Sequence, residues 1–167
     1  MFELSKKQVG AVIKVLEKNK DVRPLLSHMM IDRKNENEPL VVIVTDGFTM
    51  SILNAGMAAD EHADLIGKGV PVDALKRWYA TADSKDTYTA DDIVRDATDL
   101  PQPIMTWKNI IPTTPAPIDR VALNPHLMLC LETIAQQPLV YTTYGEGRPL
   151  VAKQFGDTYV LMPIMVR

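Results

Sequence analysis

Leu40-Val41-Val42-Ile43-Val44-Thr45-Asp46-Gly47-Phe48-Thr49-Met50-Ser51-Ile52-Leu53-Asn54 is the stretch that decides the fold. Leu40 to Thr45 and Phe48 to Asn54 predict two strands. Asp46-Gly47 between them suits a tight hairpin, because glycine tolerates positive φ. A further strand is predicted upstream, over Pro24 to Asp32. Before it runs a helix, from about Ser5 to Asn19, in which Val9, Val12, Ile13 and Leu16 repeat at i, i+3, i+4 and i+7 and form one buried face. Phe2-Glu3-Leu4 alternates ahead of that helix as a short strand. The order is strand, helix, then three strands.

The same local pattern recurs twice. Val70-Pro71-Val72-Asp73 and Val121-Ala122-Leu123-Asn124 each join a short apolar segment to a capping residue and a helix, as Phe2-Glu3-Leu4-Ser5 does. Ser, Asp and Asn cap because the side-chain oxygen accepts a bond from a free amide of the first turn. Pro125 falls at the first helical position, where its missing N–H costs nothing. The second helix carries Leu75, Trp78 and Tyr79 as its apolar stripe, with Lys76 and Arg77 outside it. The third buries Leu127, Met128, Leu131, Ile134 and Ala135, and shows His126, Glu132, Thr133 and Gln136 outward. Strands are expected after it over Leu139 to Thr143, Pro149 to Lys153 and Thr158 to Val166, divided by turns at Tyr144 to Gly147 and Phe155 to Asp157. Both ends of the chain therefore read as strand, helix, three strands. In between, Thr81 to Asp99 is polar and acidic, and Pro101 to Pro117 is a proline-rich connector. The fold class is α+β, with a first unit over 1–69, a truncated middle segment and connector over 70–118, and a last unit over 119–167.

The totals bound the function. The chain has 167 residues, one domain's worth, and 46% hydrophobic content supports a sizeable core. No apolar run approaches the roughly 20 residues of a membrane helix, and the Met-Phe-Glu-Leu-Ser start reads as folded chain. Cys130 is the single cysteine and has no internal disulfide partner, so a reducing, cytoplasmic setting is expected. A net charge of -3 argues against a general nucleic-acid coat. Charge is uneven, however. The first 23 residues hold Lys6, Lys7, Lys14, Lys18, Lys20 and Arg23 against Glu3, Glu17 and Asp21, whereas Asp60 to Asp99 is acidic. At close to 100° per residue, Lys7, Lys14 and Lys18 cluster opposite the apolar face of the first helix.

Tandem βαβββ units are the building pattern of the DNA clamp fold, and particular strings sharpen the likeness. Val44-Thr45-Asp46-Gly47-Phe48-Thr49-Met50 resembles the Thr-Asp-Gly-His-Arg-Leu strand turn of the bacterial DNA sliding clamp family. Val160-Leu161-Met162-Pro163-Ile164-Met165-Val166-Arg167 is similar to the Val-Met-Pro-Met-Arg-Leu ending of those clamps. Leu100-Pro101 through Trp107 and Ile111-Pro112 resembles the interdomain linker, Val121 to Ile134 the opening of a last unit, and Arg23 to His28 the strand after a first helix. The chain is much shorter than a housekeeping clamp, which has three domains of two units each. A prophage or mobile-element variant fits this length.

The resemblance implies sites. Helices lining a clamp's hole face duplex phosphates, which implies non-specific DNA contact through Lys6, Lys7, Lys14, Lys18, Lys76 and Arg77. The alternative for this stripe is a solvated helix face, and the third helix lacks matching lysines. The two strings imply a pocket for peptides from DNA polymerase or other clamp-binding proteins, formed by Thr45, Gly47, Phe48, Met50, Met162, Pro163 and Ile164. Methionine suits such a surface because it repacks around different partners. Phe48 and Thr49 replace the family's His-Arg pair, and the alternative is that all these are core or strand residues. A closed homo-oligomer is expected, since one chain holds too few units to close a ring. No cofactor, metal or membrane partner is expected, and no catalytic residue is assigned. Walker, Gly-x-Gly-x-x-Gly, His-Glu-x-x-His and Cys-x-x-Cys motifs are missing from the sequence. His126 and Cys130 lie four apart without a third partner, the three histidines show no ligand spacing, and Asp83, Asp86, Asp91 and Asp92 read as loop charge. A clamp-fold adaptor or inhibitor that never encircles DNA is the second reading, and a small enzyme a third.

Overall fold

The computed structural model describes residues 2–18 and 20–164. Among them are nine strands and four α-helices: β1 (Glu3–Ser5), α1 (Lys6–Glu17), β2 (His28–Arg33), β3 (Leu40–Thr45), β4 (Thr49–Asn54), β5 (Lys68–Pro71), α2 (Val72–Thr81), β6 (Thr87–Thr89), α3 (Ala90–Asp96), β7 (Thr98–Asp99), α4 (Pro125–Ala135), β8 (Leu150–Gln154) and β9 (Asp157–Leu161). Seven strands form one sheet in the order β7-β5-β2-β3-β4-β9-β8, and β1 pairs with β6 apart from it. Every pairing between these strands is antiparallel. No described helix is long and apolar enough to cross a membrane.

Local chemistry explains the helix starts. Ser5 caps α1 in a capping box: its hydroxyl accepts from the Gln8 amide, and the Gln8 side chain accepts from the Ser5 amide at 2.8 Å. Asn124 accepts from the His126 amide at 3.0 Å and starts α4. The buried face of α1 is wider than the predicted stripe and includes Ala11 and Val15, because α2 and α4 flank it on the two sides. The Gln8 side chain reaches across to α4, donating to the Ile134 carbonyl at 2.6 Å.

The sheet is covered on both faces. Leu40, Val42 and Val44 of β3 join Val9, Val12, Leu16, Leu75, Leu131 and Ile134 in a core beneath the helices. Val41 and Ile43, pleated to the other side, pack with Met30, Met50, Ile52, Val151, Val160 and Trp107. Leu100, Ile104, Met105 and Ile111 close over this second core, so the proline-rich connector is its lid. Trp107 is only 1% exposed and its indole N–H donates to Asp32 at 2.7 Å.

Several elements differ from expectation. Pro24–Ser27 is a 3-10 turn and the strand starts at His28; the Ser27 hydroxyl donates to the Pro24 carbonyl at 2.7 Å, holding the turn closed. Pro71, not Asp73, occupies the cap of α2; Asp73 lies in its first turn and pairs with Lys20 at 2.8 Å. The stretch read as polar chain contains β6 and α3. Tyr88 and Ile93 bury completely there, and Thr89 and Asp92 form a second capping box. The short strand expected at Val121 to Leu123 reduces to one bridge between Ala122 and Ile164, and that at Leu139 to Thr143 to one between Thr142 and Val151. Asn19, the expected end of the first helix, and residues 165–167 of the expected last strand lie outside the described residues.

Trp107 generates the first prediction. Trp107→Ala is expected to lower stability by about 3–5 kcal/mol, the range for truncating a buried aromatic, and it also strips Asp32 of a donor. Urea unfolding followed by circular dichroism measures it. A loss under about 1 kcal/mol would mean that the connector adds little to the second core.

Candidate functional site

The β3–β4 turn is built around a carboxylate. Asp46 is buried, its side chain 2% exposed. One of its oxygens accepts from the Phe48 amide at 3.0 Å, the Thr49 amide at 2.8 Å and the Thr49 hydroxyl at 3.1 Å. The other accepts from the Lys18 ammonium at 2.9 Å. The Thr45 hydroxyl donates to the Thr49 carbonyl at 2.6 Å and accepts from the Gly47 amide at 3.1 Å. Gly47 has φ +89°, a conformation that an added Cβ would strain. The turn's polar groups are thus satisfied inward, and Phe48 is left outward, 64% exposed.

The pairing of β4 with β9 brings the second segment to this turn. Thr49 lies opposite Leu161. The next amide, that of Met162, donates to the Phe48 carbonyl at 2.9 Å, and the Ile164 amide donates to the Ala122 carbonyl at 2.8 Å. The segment 162–164 is therefore pinned between the turn and the approach to α4. The result is a cleft of about 640 Å³ lined by Phe48, Leu127, Met162, Pro163 and Ile164, with Lys18, Asp46 and Asn124 supplying its polar edge.

Of the seven residues predicted for a peptide pocket, Phe48, Met162, Pro163 and Ile164 line this cleft. Thr45 and Gly47 build the turn behind it. Met50 is elsewhere: it is 4% exposed and packs in the core on the connector side of the sheet, because the pleat aims it away. Met50, expected in the pocket, is a core residue instead. Leu127, Asn124 and the Lys18–Asp46 pair were missed. Leu127, expected on the buried face of the third helix, is only partly buried and lines the cleft as well.

The six predicted basic residues divide. Lys7, Lys14 and Arg77 are exposed and form no ion pair among the described residues. Lys18 is held by Asp46, and Lys76 pairs with Glu17. Lys6 donates to the Ala82 carbonyl at 2.5 Å and lies 5.0 Å from the centre of the Tyr79 ring. Between α1, α2 and α4 runs a groove of about 740 Å³, whose walls include Lys7, Lys14, Tyr79, His126, Leu129 and Thr133. Leu129 is 63% exposed, so α4 answers the lysines of α1 with an apolar side chain.

Several acidic residues and Cys130 have surroundings that account for them. No group of three or more His, Cys, Asp or Glu side chains able to hold a metal occurs among the described residues. Asp92 caps α3, and Asp86 accepts from the Asp83 amide at 2.6 Å, so these acids have structural partners. Burial pushes the Cys130 thiol above its ordinary range, away from the reactive thiolate.

No protein-family model matches the chain, and no curated protein matches it by sequence. Solved structures do match in fold. The DNA polymerase III subunit beta of Borrelia burgdorferi, solved in complex with a natural product, superposes with a TM-score of 0.63 at 12% identity, over 99% of this chain and 64% of that one. The pol III beta of Caulobacter crescentus gives 0.57 at 14% identity, over 98% and 66%. The sliding clamp of Bartonella birtlesii, bound to griselimycin, gives 0.56 at 14% identity, over 99% and 66%. The chain has the α+β fold of bacterial DNA clamps and spans 64–66% of the length of these three.

Asp46 gives a pH prediction. Burial opposes its ionisation, but the bonds from Lys18 and from the Thr49 and Phe48 amides outweigh burial and hold the carboxyl below the ordinary range. A depressed folded value means that the stabilisation is fully present above the unfolded value of about 3.9 and is lost as pH falls through the folded one. Asp46→Asn is expected to cost about 1–3 kcal/mol near pH 7, and the gap from the parent should shrink below about pH 4. Paired urea titrations across pH measure it, and a gap of constant size would contradict the assignment.

Proposed function

We propose that this protein is a non-enzymatic, clamp-like tethering factor of replication or repair. Its cleft takes a short linear peptide from a DNA polymerase or another clamp-binding protein. Its helical face contacts duplex phosphates without reading sequence. The observation that carries this reading is the cleft itself. Phe48 and Ile164, 64% and 51% exposed, line it together with Met162, Pro163 and Leu127. Such an exposed apolar rim is costly unless a partner covers it. A peptide held there raises the local concentration of whatever it is tethered to.

The DNA contact in this reading is modest. Lys7, Lys14 and Arg77 have no ion pair among the described residues, so about three phosphates are neutralised, with a correspondingly shallow salt dependence. Encirclement would require a closed homo-oligomer. The sheet ends available for that are β7, two residues long, and β8, whose Val151 already pairs with Thr142. These blunted edges, together with Leu129 on α4, favour the second reading: an adaptor or inhibitor of the same fold that uses the cleft without encircling DNA.

Three outcomes are expected. A fluorescent clamp-binding peptide, apolar with a glutamine near its start, binds with roughly micromolar affinity, because it buries few side chains and loses its own freedom. Met162→Asp abolishes that binding by placing a charge in an apolar site, with circular dichroism confirming the fold. Fluorescence polarisation reads both, and no binding at high micromolar peptide would reject the cleft as a peptide site. Lys7→Glu with Lys14→Glu lowers duplex association several-fold at low salt. If that variant binds duplex as the parent does, or if light scattering finds a strict monomer at high concentration, the adaptor reading replaces the ring.

A further inference from the structure

We infer that Lys18 is a positioning residue of the cleft rather than a DNA-contacting cation. It acts through Asp46 to set the turn that presents Phe48. The inference rests on the cleft reading above for its consequence, but not for its geometry.

Lys18 belongs by sequence to the basic stripe of α1, one helical turn beyond Lys14. Its neighbours on that stripe have no anionic partner among the described residues, whereas its own ammonium is spent on Asp46 at 2.9 Å. Lys18 lies at the C-terminal cap of α1, where a cation is favoured by the helix dipole. The dipole alone would leave its side chain free to wander in solvent. Here it is drawn to a carboxylate buried in a different element and lines the cleft beside Phe48.

The carboxylate divides its labour. The oxygen that accepts from Phe48 and Thr49 shapes the turn, and the one facing Lys18 ties that turn to α1. Bonds to an ionised group are stronger than neutral ones. The cation therefore strengthens the same carboxylate that holds the Phe48 amide, and the position of the ring depends on a lysine that need not touch the peptide. Leu127 and Asn124 approach the cleft from α4, so one wall is set by α1 through Lys18 and another by α4.

The test uses the whole chain and has two arms. In the peptide-free protein, Lys18→Met is expected to speed hydrogen exchange at the Phe48 and Thr49 amides by roughly tenfold, and Lys14→Met to leave them unchanged. With the fluorescent clamp-binding peptide, Lys18→Met weakens binding about tenfold, Lys18→Arg restores most of it, and duplex association changes little. In an Asp46→Asn background, Lys18→Met has no further effect on either readout, since the path runs through Asp46. Unchanged amide exchange in Lys18→Met overturns the inference, whatever the peptide does. So does a loss of duplex binding equal to that of Lys14→Met. If the parent binds no peptide, the cleft reading fails alone, and the exchange arm still decides the role of Lys18.

Discussion

The antiparallel pairing of β4 with β9 is the interaction on which the rest of the molecule depends. It ties Thr49 to Ile52 against Leu161 to Thr158 and makes one sheet from the two ends of the chain. Antiparallel geometry puts the residue before Thr49 beside the residue after Leu161. Phe48 and Met162 are neighbours for that reason, and the Met162 amide bonds to the Phe48 carbonyl. A one-residue slip of β9 along β4 would turn Val160 out of the connector-side core and part Met162 from Phe48. Fold stability and the candidate site thus share one register.

Covering both faces of this sheet sets the rest. Helices α1, α2 and α4 bury one face and leave their outer sides to solvent, which is where Lys7 and Lys14 stand. The other face is closed by chain with little regular structure, anchored by Trp107 and its bond to Asp32. A proline-rich segment can do this because its contribution is apolar contact and one buried hydrogen bond, neither of which requires a helix or strand. The helical face thus presents exposed Lys7 and Lys14, and the end of the sheet near Phe48 an apolar rim.

Much of this was legible in the sequence, and the failures have identifiable causes. Ser5, Asn124 and Asp46-Gly47 announce themselves because caps and tight turns depend on local chemistry alone. Leu40 to Thr45 is an almost continuous apolar run, and both faces of the strand it forms are buried. Thr87 to Asp96 was missed because acidic residues dominate its composition, while its structure depends on two buried side chains, Tyr88 and Ile93, and on Thr89 with Asp92. The strands expected around Ala122 and Thr142 dwindle to single bridges, since β-propensity without a long partner gives little pairing. At the site, the family likeness brought Met50 in with Phe48, but the pleat sends Met50 to the opposite face. The charge stripe on α1 was visible, but the partner that takes Lys18 out of it lies 28 positions away and only the tertiary fold brings them together.

Amide NMR of the isotopically labelled chain, titrated with a glutamine-led apolar clamp-binding peptide, tests the central claim most directly. Saturable shifts are expected at Phe48, Thr49, Leu127, Met162 and Ile164, with the Trp107 indole on the far face unmoved. Shifts confined to other surfaces, or none at high micromolar peptide, would contradict it.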